Sequence, residues 1–308
     1  MVTLFPVSGV EAPVWVPLVA GFVASFFTSM AGVSGAVLLL PFQMSVLGFV
    51  SPAVSPTNLV FNIVAIPSGI YRYWRERRLV APLAWIVVAG GAPGVVVGEW
   101  MRASWLPDPG RFKIFVACVL LSIGIRLIFD ARRVRRDAGW EGELALSDGA
   151  DWAVRKVAFD RCHLVYEFQG RQYRCGTLGV LLVSLVVGLI GGVYGIGGGA
   201  ILAPFFVALY GLSVHTVAGA TLMGTFLTSV VGVTFAELIA PLYQSNGVAV
   251  APDWMLGGLF GSGGFAGMYL GARVQRFVPA FWLKVLLAVV LFAVSSIYLA
   301  APLLKVGP

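Results

Sequence analysis

The chain has 308 residues, 59% of them hydrophobic and 11% charged, with a formal net charge of +7. Soluble domains carry about 25% charged residues, so a water-soluble globule is excluded and a bilayer becomes the solvent that accepts this much apolar surface. The positive balance reads as basic loops on the cytoplasmic face of a membrane, and neither nucleic acid, cofactor nor metal is expected as a partner.

No Lys or Arg precedes Arg72, so the N-terminus lacks the basic region of a secretory signal and is read as mature sequence. From Ala12 to Tyr71 runs a stretch free of Asp, Glu, Lys and Arg. A spanning helix needs about 20 apolar residues, so this stretch holds several elements. Pro41 interrupts it, and Ser51-Pro-Ala-Val-Ser-Pro-Thr-Asn58 breaks it again. The prediction is broken or half-length helices: three short crossings, or one crossing plus a re-entrant hairpin. The dense basic loop Arg72–Arg78 follows, then helices near 80–100 and 112–129. From Asp130 to Cys175 the chain turns polar and basic. There Val157–Tyr166 and Arg171–Cys175 flank Gln169-Gly170, the pattern of a β-hairpin. This insertion reads as a juxtamembrane structural element, with a regulatory or partner-binding role as the alternative. Cys162, His163 and Cys175 fall within or beside it without the ligand spacing of a zinc site, and Cys118 lies in an apolar helix where packing accounts for it. A second long uncharged stretch runs from Cys175 to Ala236, and shorter ones from Trp254 to Ala272 and from Val285 to Leu304.

The two long stretches are related. A shift of 163 positions superposes Gly32, Gly35, Leu39, Pro41, Phe42, Gly48, Val54 and Leu59 on Gly195, Gly198, Leu202, Pro204, Phe205, Gly211, Val217 and Leu222, eight identities within 28 positions. Further on, Gly94 and Gly98 align with Gly267 and Gly271 across small gaps. The basic loop Arg72–Arg78 has as its counterpart Glu237–Asp253, which carries no Lys or Arg. Basic loops stay in the cytoplasm, so the halves are expected to have opposite orientations, the pattern of an inverted repeat. The division is then residues 1–130, an N-terminal transmembrane repeat; 131–177, a cytoplasmic insertion; and 178–308, a C-terminal transmembrane repeat. Both termini are expected outside. The loop bearing Arg102, Arg111 and Lys113 fits this orientation poorly.

The glycine-rich breaks are Ala31-Gly-Val-Ser-Gly35 and Gly191-Gly-Val-Tyr-Gly-Ile-Gly-Gly-Gly199. Irregular backbone at membrane depth is tolerated where it lines a cavity or is buried in protein. The first N–H groups of a half-helix, with its dipole, favour an anion. Two such starts at a repeat interface converge near the midplane. Ser34, Gly35, Gly197, Gly198 and Gly199 are therefore candidate substrate contacts through backbone N–H groups. A polar cluster follows each break: Ser55, Thr57, Asn58 and Asn62 in one half, Thr221, Thr225 and Thr228 in the other. Of these, Thr57, Asn58, Asn62, Thr221 and Thr225 are candidate side-chain contacts. The competing readings are close helix packing for the glycines and bonding across helices for the amides and hydroxyls.

Three other patterns fail. Gly32-Val-Ser-Gly35 fits the G-x-S-G of rhomboid-type proteases, which need a histidine base, but His163 lies in the insertion and His215 in a loop just beyond Gly211. Gly195–Gly199 lacks the Lys-Ser/Thr of a phosphate loop. No predicted strand precedes it, as a dinucleotide fingerprint requires. Glu99, Glu237 and Asp253 are the few titratable residues in apolar parts, and none pairs with a nucleophile, so no catalytic residue is expected.

Gly192-Val-Tyr-Gly-Ile-Gly-Gly-Gly-Ala-Ile-Leu-Ala-Pro204, with Gly211 and Ala218-Gly-Ala-Thr221, resembles the TauE/SafE family of sulfite and sulfonate transporters. Ala31 to Pro41 with Gly48 resembles the family's other copy, with Ser34-Gly35-Ala36 in place of the glycine triplet. The resemblance spans nearly the whole chain except 131–177. It implies transport of small sulfur-containing anions: sulfite, thiosulfate, sulfoacetate or an aromatic sulfonate such as toluenesulfonate. The expectation is an all-α polytopic membrane protein of two inverted-topology repeats. It has about 8–10 transmembrane or re-entrant helices, broken at the glycine motifs, and lies in a bacterial inner membrane with both termini periplasmic. Its expected work is secondary transport, with an anion channel or, further off, an intramembrane enzyme as alternatives. The partners are a small anion and the lipid bilayer, with homo-oligomerisation open.

Overall fold

The computed structural model describes residues 2–304 except 32, 146–152, 161, 169, 200, 245–246 and 275–279. Gly32, Arg161, Gln169 and Arg276 therefore lie outside the described residues. A short hairpin, β1 (Val2–Leu4) and β2 (Glu11–Pro13), precedes α1 (Trp15–Ala31), α2 (Ala36–Ser45), α3 (Val54–Ala65), α4 (Pro67–Arg75), α5 (Ala81–Ser104) and α6 (Pro109–Ala145). Three strands follow, β3 (Arg155–Phe159), β4 (His163–Phe168) and β5 (Arg171–Gly176). The chain continues as α7 (Thr177–Tyr194), α8 (Leu202–Tyr210), α9 (Val214–Gln244), α10 (Trp254–Val274) and α11 (Ala280–Leu304).

Among the described residues, five helices have the length and apolar composition to cross a membrane: Ala81–Ser104, Pro109–Arg132, Thr177–Tyr194, Thr216–Tyr243 and Phe281–Ala300. Eleven helices are described in all, against about 8–10 elements expected. Pro67 supplies part of the excess: it has no N–H and starts α4 directly after α3, splitting one path in two.

Helices α1 and α2 form a hairpin that returns to the end it came from. Ser8, just before α1, bonds to Asp253 at the start of α10, and Ser45, at the end of α2, lies 2.6 Å from the Tyr298 hydroxyl late in α11. Helices α7 and α8 form a second hairpin, since a Cβ added at Gly179 early in α7 would overlap the Tyr210 hydroxyl closing α8. Tyr194 ends α7 because Gly195 takes a left-handed conformation, φ +86°, and returns its N–H to the Gly191 and Gly192 carbonyls. The first long stretch thus combines a hairpin, α1–α2, with a single passage, α3–α4.

Glycines set the two closest helix seams. Along α5, a Cβ at Gly90, Gly94 or Gly98 would overlap the carbonyls of Leu181, Leu185 and Leu189 on α7. Along α10, a Cβ at Gly263 or Gly267 would overlap the carbonyls of Leu18 and Phe22 on α1, and one at Gly271 would meet Phe26 O. Leu18, Phe22 and Phe26 become Leu181, Leu185 and Leu189 under the same shift of 163 positions that relates the two breaks. Small residues let membrane helices approach backbone to backbone, and both seams use them in matching places.

Between α6 and α7 the hairpin expected from the sequence is a three-stranded antiparallel sheet in the order β3-β4-β5. Val157–Tyr166 is not one strand: the chain turns after Phe159, where Asp160 N–H bonds to the His163 carbonyl at 2.9 Å. Period-2 alternation buries Leu164, Tyr166 and Phe168 on one face with Cys175. They pack on Leu83 of α5, Val180 of α7, Phe206 of α8 and Val217 of α9. The Tyr166 hydroxyl lies 2.8 Å from Thr216 Oγ1. Burial raises the Tyr166 pKa and pushes the Cys175 thiol up to about 11.

Candidate functional site

The two breaks meet in the interior. Ser55 Oγ donates to the Val193 carbonyl at 2.8 Å, and the Tyr194 hydroxyl donates to the Val37 carbonyl at 2.9 Å. Asn62, fully buried on α3, joins both breaks directly. Its Oδ1 accepts from Ser34 Oγ at 3.1 Å, while its Nδ2 donates to the Ile196 carbonyl at 3.1 Å and to Ser229 Oγ at 3.4 Å. One turn earlier, Asn58 Nδ2 donates to the Ala36 carbonyl at 3.0 Å, and its Oδ1 accepts from Gln43 Nε2 at 3.2 Å. A buried amide is costly unless paired; these are paired, with carbonyls at or beside the breaks and with the side chains of Ser34, Gln43 and Ser229.

Beside this junction lies a cavity of about 640 Å³. Its floor includes Ser34 from the first break, Gly199 from the second, Ala203 of α8, and Thr221 and Thr225 of α9. Its mouth carries Tyr71, Arg72, Arg75 and Glu76 at the end of α4, and Tyr269 and Arg273 at the end of α10. Exposure falls from mouth to floor: Arg72, Arg75 and Arg273 are exposed, whereas Ser34 and Thr221 are 5% exposed and Thr225 is fully buried. The mouth thus carries three guanidiniums and one carboxylate. Glu76 Oε1 is 3.0 Å from Arg72 Nε, and Glu76 Oε2 is 3.3 Å from Arg78. The Arg273 guanidinium stands 5.4 Å from the Tyr269 ring. The cavity is therefore electropositive where it opens and neutral where it ends.

The sequence-derived candidates divide accordingly. Ser34, Gly199, Thr221 and Thr225 line the cavity; Gly35, Thr57, Asn58, Asn62, Gly197 and Gly198 do not. Gly35 packs against Ser25 of α1 and Phe61 of α3. Thr57 Oγ1 accepts from the Asp253 N–H at 2.9 Å, at the start of α10. Gly197 is a left-handed turn residue, φ +78°, whose N–H goes to the Gly191 carbonyl at 3.3 Å. The Gly198 N–H goes to Thr228 Oγ1 at 2.9 Å, so it offers no open donor. Among the described residues no group accepts from the Gly199 N–H. The sequence reading missed Ser68, Tyr73, Met268 and the mouth arginines as lining residues. The signal for Arg72 and Arg75 was visible, since they close the last turn of α4, but that loop was read only for its side of the membrane.

A sequence model of the family described as "Sulfite exporter TauE/SafE" matches residues 18–298. The chain belongs to the TauE/SafE family. Over 253 residues it is 21% identical to the "Probable membrane transporter protein YunE" of Bacillus subtilis (strain 168), covering 80% of this chain and 86% of that protein. No solved structure matches. Membership makes this TauE/SafE protein a multi-pass membrane transporter and not an enzyme. The seam glycines, the paired asparagines and the cavity are thus parts of a transporter.

Proposed function

We propose that the protein is a secondary carrier for a small organic sulfonate. The anion group sits at the cavity floor between the breaks, and the organic part lies along the aromatic mouth. The observation that carries this is the cavity itself: about 640 Å³, floored by both breaks and rimmed by Arg72, Arg75 and Arg273. Sites for organic ligands span about 300–1,000 Å³, so the space suits a sulfonate with a body better than bare sulfite. Guanidiniums at a cleft mouth concentrate anions. At the floor, the Gly199 N–H and the Thr221 hydroxyl, which gives only a 3.2 Å bond to the Ala218 carbonyl in its own helix, are available donors. Neutral donors hold an anion without the tight grip of a buried cation.

Sequence shift, matched seams and the loop-charge asymmetry support two inverted repeats. The same asymmetry supports placing Arg72–Arg78 and the β3–β5 sheet in the cytoplasm, beneath a bacterial inner membrane, with both termini on the other side. The test is a calorimetric screen of the purified protein against p-toluenesulfonate, methanesulfonate, sulfite and benzoate, followed by counterflow in proteoliposomes. Toluenesulfonate is expected to bind tightest and to show saturable counterflow. Equal binding of benzoate, or flux without counterflow, overturns the sulfonate and the carrier assignments respectively.

A further inference from the structure

Two carboxyl groups are buried toward the end opposite the cavity mouth, Glu99 and Asp253, each 1% exposed. They differ in what they touch. Asp253 caps α10: its Oδ1 accepts from the Leu256 N–H at 3.0 Å, and its Oδ2 from the Ser8 N–H and hydroxyl at 3.1 and 2.8 Å. That carboxylate is satisfied and structural. Glu99 Oε1 is enclosed, and among the described residues no group donates to it.

Arg102, three residues further along α5 and fully buried, does not turn to Glu99. Its guanidinium donates to the Leu106 carbonyl and, at 3.2 Å each, to the Val50 and Ser51 carbonyls, and it covers the Phe112 ring at 3.7 Å. Arg102 thereby ties the α2–α3 loop and the start of α6 to the end of α5. The Nε of Arg102 and the Ser51 hydroxyl are buried without partners among the described residues, so bonding capacity stands unused beside the bonds made. The helices around α5 add little charge. Neither α3 nor α7 carries Asp, Glu, Lys, Arg or His. Helix α9 brings His215 at its distant start and Glu237, whose carboxylate accepts from Trp254 Nε1 at 2.7 Å. Helix α6 brings Arg111 and Lys113. Among the described residues, Arg102 is the charge that acts on Glu99.

We propose that Glu99 is a proton-binding site and that Arg102 is its alternative partner, a two-position latch on the end opposite the anion cavity. This rests on the carrier reading, because a carrier must open that end in turn. An enclosed carboxyl oxygen without donors suits the neutral acid. In that form Arg102 stays on its three carbonyls and the end is shut. Opening separates the carbonyls of Val50, Ser51 and Leu106 and frees the guanidinium. Residues three apart share a helix face, so a change of rotamer carries Arg102 to Glu99. The carboxyl O–H then breaks, its proton goes to water at the opened end, and the carboxylate pairs with the arginine, which stays cationic throughout. Acid on that side therefore holds the latch shut, and alkali favours opening.

The test uses full-length protein in proteoliposomes and counterflow of p-toluenesulfonate, whose charge is constant over the range scanned, from about pH 5 to about pH 9. The pH is varied on one side at a time. Wild type is expected to respond to pH on one face only, and Glu99→Gln to keep counterflow but lose that response. Glu99→Asp is expected to keep the response with a displaced midpoint. A pH-independent wild type, or the same midpoint in Glu99→Gln, overturns the latch while leaving the carrier reading intact. No counterflow in wild type overturns the carrier reading instead. Should Glu99→Gln fail to elute as a folded species, Glu99→Asp decides, and an unchanged midpoint there overturns the assignment.

Discussion

Replacing Asn62 with alanine should weaken the fold more than it weakens substrate binding. The amide makes three described bonds, at 3.1, 3.1 and 3.4 Å, to Ser34, Ile196 and Ser229. In a soluble core each stranded partner costs about 1–3 kcal/mol. Side-chain bonds between membrane helices average only about 0.6 kcal/mol and reach about 1.7, because the unfolded chain in a bilayer also finds partners. Two good bonds and one long one then place the cost of Asn62→Ala at about 1–3 kcal/mol. The cavity loses no lining atom, so sulfonate affinity should change by less than about threefold. Thr221→Val supplies the contrast. Its hydroxyl makes one long bond within its own helix, so stability should stay within about 0.5 kcal/mol. It lines the cavity, so losing a hydrogen bond to an anion should weaken binding by about tenfold. Reversible unfolding in mixed micelles gives the first quantity and calorimetry the second. If Asn62→Ala keeps full stability and loses binding, Asn62 is a ligand and the reasoning from its bonds is wrong.

Leucine at Gly94 or at Gly267 should cost at least about 2 kcal/mol, since each side chain would start inside a facing carbonyl, Leu185 O or Phe22 O; similar losses of melting temperature in both variants would mark the seams as equivalent. Glutamine at Arg72, Arg75 and Arg273 together should slow sulfonate association and flatten its dependence on ionic strength, read by stopped-flow binding in a salt series; an unchanged salt slope refutes a steering role. Cys162 is exposed and should react with maleimide near neutral pH. Cys175, whose thiol burial pushes up to about 11, should react only after unfolding, because the thiolate is the nucleophile.

The path of the chain was legible where backbone chemistry dictates it. Gly195 and Gly211 stop helices by taking positive φ, whereas proline alone decides nothing: Pro67 starts α4, but Pro41, Pro93 and Pro241 lie inside helices. The seams were legible as spacing, because Gly94 and Gly98 repeat at the interval that keeps one helix face small. The third strand was not. Val157 to Tyr166 reads as one apolar-alternating run, and the turn inside it depends on Leu164, Tyr166 and Phe168 finding a shared surface on α5, α8 and α9. That surface exists only after the helices assemble. The site was half legible for the same reason. Polar residues in an apolar stretch announce that they need partners, but not whether the partner is substrate or backbone. Thr221 faces space, whereas Asn58 and Asn62 face the breaks, and only the fold distinguishes them.

The placing of charge gives the carrier reading its internal logic. A guanidinium at the cavity floor would bind an anion through a low-dielectric interaction and release it slowly. The arginines stand instead at the mouth, with the Arg72 side chain 48% exposed, where water and salt weaken each interaction. They raise the local anion concentration without fixing the anion. On the proposed reading the ligand would meet dipoles from both breaks at the floor, and a hydrogen-bonded side chain links those breaks. Asn62 holds Ser34 of one and Ile196 of the other through a single amide. A shift of either break that lengthens one of these bonds strains the other. In the proposed carrier, an anion touching Ser34 and Gly199 would sit beside the junction that Asn62 makes between the breaks. On the carrier proposal, Asn62 would then govern how the breaks move together more than how tightly the anion is held, which is why Asn62→Ala is expected to spare affinity.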